Sequence, residues 1–177
     1  MRIISGLYKK KVLISPESGK VRPTSDRAKE TLFNILSNRI NFSGITCLDL
    51  FCGTGNLGLE SLSRGARKCI FVDTDTKLVL KNIEKVGVSD QSEVYKSDSL
   101  EFLKRNTGSD YDLIFCDPPY DYSDYKNLTE HLKLYKTLTI LEHSGKYETE
   151  EEFSRFVILR KKIGTVNFTF FDFKINL

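Results

Sequence analysis

The chain has 177 residues and a formal net charge of +3, a length that suits one domain with a sizeable hydrophobic core. Four cysteines without a Cys-x-x-Cys pair and only two histidines argue against a zinc site or a Ser-His-Asp triad, and we expect no metal ion. The sequence shows no signal peptide and no long apolar segment, which predicts a cytoplasmic protein away from membranes. We take a monomer as the default state.

The positive charge is concentrated at the start of the chain. Residues 1–30 carry a net charge of +5, so the other 147 residues carry −2. Such a basic end is typical of contact with a polyanion. Lysines also protect exposed edge strands from unwanted pairing, and this alternative stays open. The predicted phosphate contacts are Arg2, Lys9, Lys10, Lys11 and Arg22.

Residues 1–40 read as an extension that precedes the main domain. Residues 2–14 resemble a basic strand or hairpin, and a loop with two prolines follows them. Thr24 or Ser25 is a plausible N-cap for the next segment, which is predicted to be a helix. Its apolar stripe has helical spacing and comprises Ala28, Leu32, Phe33, Ile35 and Leu36.

Residues 41–177 predict an α/β domain with a parallel sheet covered on both faces, because strand and helix patterns alternate there. Strands are expected at 45–50, 69–73, 93–96, 112–117 and 137–142. Helices are expected near 57–64, 76–87, 98–106 and 124–135. The acidic stretch 148–152 suits a solvated loop or a helix start. Two final strands joined around Gly164 predict a C-terminal antiparallel hairpin.

A glycine loop follows the first core strand. Gly53, Gly55 and Gly58 form a Gly-x-Gly-x-x-Gly pattern ahead of a predicted helix. Glycines permit a tight turn there, and the helix N-terminus offers unpaired N–H groups to a ligand. Asp73 ends the second strand, where its carboxylate can accept both ribose hydroxyl protons. The pattern alone is compatible with a nicotinamide dinucleotide.

Three observations favour S-adenosylmethionine over that dinucleotide. Asp49 directs a negative charge at the loop, which disfavours a pyrophosphate and suits an amino group and a sulfonium. About 130 residues after Ile45 leave little room for two mononucleotide halves. The third observation is a second loop at the same carboxyl edge of the sheet.

Asp98 stands at the start of the helix that is predicted near 98–106. It either caps that helix or accepts a proton from the adenine amino group.

The second loop is Asp117-Pro118-Pro119-Tyr120, directly after an apolar run. Consecutive prolines end a strand abruptly, because neither can donate a ladder hydrogen bond and each restricts the residue before it. The result is a stiff loop with one carboxylate, two carbonyl oxygens and one aromatic ring. Such a loop can grip the amino group of a flat base and stack on its ring, although an ordinary strand-ending turn is the simpler interpretation.

Motifs along nearly the whole chain resemble the RsmD-type family of bacterial 16S rRNA (guanine-N2)-methyltransferases. The resemblance lies in Arg2–Gly6, Arg22–Arg27, Lys29–Asn34, the segment from Leu48 through the glycine loop, Gly58–Ala66 and Asp117–Tyr120. It departs from the family at Cys52, Thr54, Asn56, which stands where alanine is usual, and Asp73, which stands where glutamate is common. None of these changes removes a group that the chemistry requires.

The resemblance implies a class I, Rossmann-like methyltransferase that transfers a methyl group from S-adenosylmethionine to the exocyclic N2 of one guanine. The expected substrate is 16S rRNA within an assembled or partly assembled 30S subunit. It assigns Asp117, Pro118 and Tyr120 to the amine, and Asp49, Gly53, Gly55, Asp73 and Asp98 to the cofactor. The alternatives are an adenine-N6 DNA methyltransferase, for which no target-recognition domain is evident, a nicotinamide-dependent oxidoreductase, or a non-catalytic RNA-binding module.

Overall fold

The computed structural model describes residues 1–16, 26–145 and 147–175. One sheet of seven strands runs through the described chain in the spatial order β3-β2-β1-β4-β5-β7-β6. The strands are β1 Thr46–Leu50, β2 Lys68–Asp73, β3 Ser92–Lys96, β4 Leu113–Cys116, β5 Leu138–His143, β6 Val157–Ile163 and β7 Val166–Asp172. The helices are α1 Asp26–Ser37, α2 Asn56–Ser63, α3 Lys77–Val86, α4 Ser99–Arg105, α5 Tyr125–Lys133 and α6 Glu151–Ser154.

The five strands predicted in the core pair in parallel, and the last two form the expected hairpin. β5 and β6 both pair with β7 in antiparallel register. The short helix α6 occupies the acidic stretch, which the sequence placed in a loop or helix start. The class I methyltransferase fold is thereby confirmed in its main features. None of the described helices has the length and hydropathy needed to cross a bilayer.

The sheet separates two hydrophobic clusters. One face packs against α1, α2 and α3, and its core includes Phe33, Phe71 and Phe115. The other face packs against α4 and α5, with Leu103 and Leu128 among its buried residues. The helices cover both faces of the parallel strands, which explains why β1 and β4 are buried at every position. Cys47, Cys69 and Cys116 are buried strand residues, as predicted.

The N-terminal segment lies on the same face as α1 and α2. It forms a short irregular hairpin, as predicted, with one antiparallel bridge between Arg2 and Val12, and regular strands are absent from residues 1–16. The backbone of Lys10 has a φ of 75°, which interrupts any extended conformation. Ile3 and Leu13 are buried in the α1–α3 cluster, so the segment is attached through apolar contacts as well as through hydrogen bonds. The expected N-cap of α1 falls outside the described residues.

Candidate active site

A cavity of about 730 Å³ opens at the carboxyl ends of the parallel strands. β1 lies between β2 and β4, so the chain order reverses at this point of the sheet. Open α/β sheets place their ligands at such a reversal. The predicted site residues that border the cavity are Asp49, Gly53, Asp73, Asp98, Asp117, Pro118 and Tyr120. Elements 20 to 70 residues apart in the chain thus contribute to one site.

The three glycines of the loop serve different purposes. Gly53 has a φ of 52° and faces open space at the cavity wall. Gly55 has a φ of 77°, and an added Cβ would lie 2.7 Å from Val79 Cγ2, so this residue permits the turn and the approach of α3. A Cβ on Gly58 would lie 2.3 Å from the Phe71 ring, which explains the close packing of α2 on β2. Gly53 alone of the three borders the cavity.

Asp73 stands at the end of β2 and holds the glycine loop. Its Oδ2 accepts the Gly53 N–H at 2.8 Å, and its Oδ1 accepts the Asp75 N–H at 2.9 Å. The carboxylate is therefore fixed in orientation beside the cavity. A carboxylate with two oxygens has about four lone-pair directions, so it can still accept a ligand hydroxyl.

Asp49 is 2% exposed, and its Oδ2 accepts the Gly58 N–H at 2.9 Å. Burial raises the pKa of this carboxyl well above its usual range, and the nearby Asp117 and Asp73 charges add to the effect. The sequence predicts that Asp49 directs a negative charge at the glycine loop. In the structure it also anchors the start of α2, and a cationic ligand would favour its ionised form.

Asp98 caps α4, since its Oδ1 accepts the N–H groups of Leu100 at 2.9 Å and Glu101 at 3.0 Å. Of the two roles that the sequence left open, the structure therefore shows the capping role. Asp98 also borders the cavity. Contact with an adenine amino group stays a prediction.

The Asp117–Tyr120 loop leaves the end of β4 and turns at once. The Pro119 carbonyl accepts the Tyr122 N–H at 2.8 Å, which uses one of the two proline carbonyls for the turn itself. The Tyr122 ring packs edge to face on the Phe51 ring, with the ring centroids 5.5 Å apart, and this contact stabilises the loop. Tyr120 is 49% exposed at the cavity rim. Burial raises the pKa of Asp117 to about 7.

Two residues bordering the cavity were missed in the sequence. Phe51 has a φ of 55°, and its N–H donates to Ser99 Oγ at 3.1 Å, so the loop and α4 are joined at a strained position. Glu142 lies near the end of β5 and is 4% exposed. An acidic residue near the carboxyl end of a strand that is buried at every position was the available signal for Glu142.

The cavity wall is acidic. Six aspartates and one glutamate border it, and no lysine or arginine of the described ranges does. A pyrophosphate would meet repulsion here, whereas a ligand with an ammonium and a sulfonium would be attracted. The volume falls within the range of about 300–1,000 Å³ that is usual for small-molecule sites. The acidic side chains that border the cavity therefore fit S-adenosylmethionine and disfavour a dinucleotide.

Four of the five predicted phosphate contacts lie in the described N-terminal segment, and Arg22 falls outside the described residues. Lys9 and Lys10 are exposed. Arg2 pairs with Asp26 at 3.0 Å. Lys11 donates to the Val86 carbonyl at 2.8 Å and lies over the Tyr8 ring. Lys9 and Lys10 are thus the better placed of the four to meet a phosphate.

A buried ion pair joins this segment to the cavity wall. Lys29 and Glu60 are fully buried, and Lys29 Nζ lies 3.1 Å from Glu60 Oε2. Lys29 also donates to the Arg2 carbonyl and to Asn56 Oδ1, each at 2.7 Å. Glu60 accepts the N–H groups of Ile4 at 2.8 Å and Ser5 at 3.0 Å. Asn56, which borders the cavity, is thereby linked to the N-terminal segment.

The fold, the glycine loop and the acidic cavity define a class I S-adenosylmethionine-dependent methyltransferase. A family model described as "Conserved hypothetical protein 95" matches residues 1–172. The chain belongs to this family, which is the RsmD family. The resemblance noted in the sequence is thereby confirmed.

Relatives and solved structures agree with this assignment. The YlbH protein of Bacillus subtilis is 37% identical over 174 residues and covers 92% of each chain. Ribosomal RNA small subunit methyltransferase D of Haemophilus influenzae is 41% identical over 128 residues, which are 70% of this chain and 65% of the relative. The structure of yhhF from Escherichia coli has a TM-score of 0.80 and 28% identity, and covers 97% of this chain and 96% of its own.

Proposed function

We propose that this chain transfers a methyl group from S-adenosylmethionine to the exocyclic N2 of a guanine in small-subunit rRNA. The single observation that carries the proposal is that the Asp117–Tyr120 loop borders the same cavity as the glycine loop and Asp73. The loop proposed to bind the amine and the loop proposed to bind the cofactor therefore border one cavity. The names of the Haemophilus influenzae relative and of an Escherichia coli relative, 34% identical over 82% of this chain, supply the small-subunit rRNA.

In this proposal, the chain's own groups make a poor nucleophile reactive. The N2 lone pair of guanine is delocalised into the ring. Asp117 and the Pro118 carbonyl accept the two N–H bonds and turn the lone pair out of conjugation. When bound, S-adenosylmethionine supplies an electrophilic methyl group, and its sulfur leaves with the electron pair as a neutral thioether. Asp117 or water then takes the proton that the methylated nitrogen loses.

Positioning supplies much of the rate in such a reaction. Aligning two reactants can lower the barrier by about 7–11 kcal/mol. Tyr120 is placed at the cavity rim, where an aromatic ring can stack on a base drawn out of the RNA fold. Gly53, Asp73 and Asp49 hold the cofactor, and Asp98 is proposed to meet its adenine. Gly55 contributes through the turn.

We further propose that residues 1–40 form the RNA-contacting extension and that residues 41–177 form the methyltransferase domain. The exposed Lys9 and Lys10 support this division. The N-terminal segment is held against α1 and α2 by the Lys29–Glu60 pair, so bound RNA would be oriented relative to the cavity. Ribosomal subunits are assembled in the bacterial cytoplasm, which is the compartment we propose.

Radiolabelled methyl transfer to small subunits that lack the modification tests the proposal. Nucleoside analysis is expected to show label in N2-methylguanosine. A shift in melting temperature by S-adenosylmethionine, but not by NAD, is expected to accompany it. Label in N6-methyladenosine would favour the adenine alternative, and a shift by NAD alone would favour an oxidoreductase.

The salt dependence of RNA binding tests the basic segment. Replacing Lys9 and Lys10 with glutamine is expected to reduce the slope of log affinity against log salt by about 1.5, because each phosphate contact contributes about 0.7–0.9. The matched control replaces Lys161 and Lys162, two exposed lysines of the edge strand β6, with glutamine. A slope for the Lys9 and Lys10 double variant that equals the slope of the unmodified protein would show that the basic segment does not contact the RNA.

A further inference from the structure

We infer that Glu142 selects guanine by accepting the N1–H of the base whose N2 amine is held by Asp117. The inference rests on the proposed function and adds a specificity residue to the same site. It explains how one chain could separate guanine from adenine, although an Asp-Pro-Pro-Tyr loop suits the amine of either base.

Strand register places the backbones of Asp117 and Glu142 next to each other. β4 and β5 are parallel, and Cys116 pairs with Leu141. Asp117 follows Cys116, and Glu142 follows Leu141. The backbones of these two acids therefore lie on neighbouring segments about 4.8 Å apart. Paired residues of parallel strands point to the same face. Cys116 and Leu141 both face the α4–α5 cluster, and the two acids therefore face the opposite side.

The backbone of Glu142 is held within the sheet. Glu142 lies in β5 and is opposite Phe168 of β7, and the preceding residue, Leu141, also pairs with Cys116 of β4. The side chain is 4% exposed and borders the cavity together with Asp117, Pro118 and Tyr120. A buried side chain on a paired strand has a restricted range of positions, and such a carboxylate can discriminate between bases.

The Watson–Crick edge of guanine is complementary to two adjacent acceptors. Guanine presents N1–H and the N2 amine as neighbouring donors, whereas the N1 of adenine is an acceptor. A carboxylate beside the amine therefore attracts guanine and repels adenine. A carboxylate can accept several hydrogen bonds, so a bond from N1–H adds to the contacts that Glu142 makes within the protein.

The pair of acids also suits the transition state. Two neighbouring carboxylates disfavour each other's ionisation unless positive charge lies between them. Positive charge develops on N2 as its bond to the methyl carbon forms. A carboxylate at N2 and a second one at the neighbouring N1–H both stabilise this charge. A hydrogen bond from N1–H to Glu142 further increases the electron density on N2.

2-Aminopurine tests the inference, because it carries the N2 amine but has an acceptor in place of N1–H. The guanine that the wild-type protein methylates is first mapped, and small subunits are then reconstituted with guanine or 2-aminopurine at that position. The wild-type protein is expected to prefer guanine by about 10-fold to 100-fold in kcat/KM, since one good contact of this kind discriminates by about 1–3 kcal/mol.

The variant Glu142→Gln is expected to reduce this preference to near unity or reverse it. Its amide can donate to the N1 of 2-aminopurine, and the guanine rate falls. Glu142→Ala removes the repulsion and is expected to reduce the preference as well. The matched control is Glu152→Gln, an exposed residue of α6 that pairs with Lys126, and it should keep the wild-type preference.

An equal loss of rate on both bases in the two Glu142 variants would overturn the inference, because a merely structural residue affects both substrates alike. A wild-type protein without preference would overturn it too. Failure of the proposed function is a different result: neither base is methylated at N2 by the wild-type protein. Melting temperature and S-adenosylmethionine affinity, measured on each variant, separate misfolding from lost recognition.

Discussion

Replacing Asp117 with asparagine is expected to lower kcat by about 10³-fold, at the upper end of what one electrostatic contact supplies in a transition state. The amide retains the shape of the side chain and one acceptor oxygen. It carries no negative charge to stabilise the positive charge that develops on N2, and it cannot take a proton. S-adenosylmethionine affinity should change little, since Asp73 and the glycine loop follow β2 and β1, whereas Asp117 follows β4. Single-turnover methyl transfer and calorimetric cofactor titration measure the two effects.

The same residue determines the expected pH dependence. Burial raises the pKa of Asp117 to about 7, so the acceptor is increasingly protonated below that pH. The value of kcat/KM, which reports the free enzyme, should fall about tenfold per unit as the pH decreases below about 7. Asp117→Asn should remove this dependence.

Stability provides the control. A carboxyl group whose pKa is higher in the folded state than in the unfolded chain stabilises the fold at low pH, and this contribution is lost as the pH rises through about 7. Asp117→Asn is therefore expected to raise the melting temperature at pH 8 while activity is lost. A variant that is less stable at pH 8 and still active would contradict both the assigned role and the pKa.

Replacing Glu60 with glutamine is expected to lower the free energy of unfolding by about 3–5 kcal/mol, the usual cost of removing one member of a buried ion pair. Lys29 would remain fully buried without its counter-charge. Burial already lowers the pKa of Lys29, which shows how unfavourable its charged form is without compensation. The acceptor for the Ile4 and Ser5 N–H groups would also be weakened. Urea denaturation measures the change.

An exposed ion pair serves as the matched control for Glu60. Glu101 and Lys104 lie 3.0 Å apart on α4, and each side chain is at least 40% exposed. Glu101→Gln should cost less than about 1 kcal/mol, as is usual for surface pairs. Similar losses in the two variants would show that the buried pair contributes no special stability. In Glu60→Gln we also expect weaker RNA binding, because the N-terminal segment is less firmly held.

Much of the fold was predictable because its signals are local. The alternation of strands and helices is written in short apolar runs and in amphipathic spacing. The glycine loop requires backbone angles that Gly53 and Gly55 provide, and the consecutive prolines Pro118 and Pro119 follow the end of β4 at Cys116. The C-terminal hairpin followed from Gly164 and its flanking alternation. The ends of the core helices and strands differ from the predicted ranges by at most two residues, since terminal turns depend on capping that periodicity does not show.

The N-terminal segment was less predictable. A basic strand or hairpin was expected at residues 2–14, and the structure shows an irregular hairpin with one antiparallel bridge and without regular strands. Its conformation depends on partners distant in sequence: Ser63 accepts the Leu7 N–H at 2.7 Å, and Glu60 accepts the N–H groups of two residues. Local pattern contains no information about such partners.

The sequence alone was sufficient to predict the class of fold, the glycine loop and the stiff loop at Asp117–Tyr120, because the signals for these features are local. The tertiary structure decided which side chains meet. It placed Glu142 beside Asp117 through the register of β4 and β5, buried Lys29 against Glu60, and used Asp98 as a cap. These arrangements depend on packing between segments tens of residues apart, and the free energy of such packing is not visible in either segment alone.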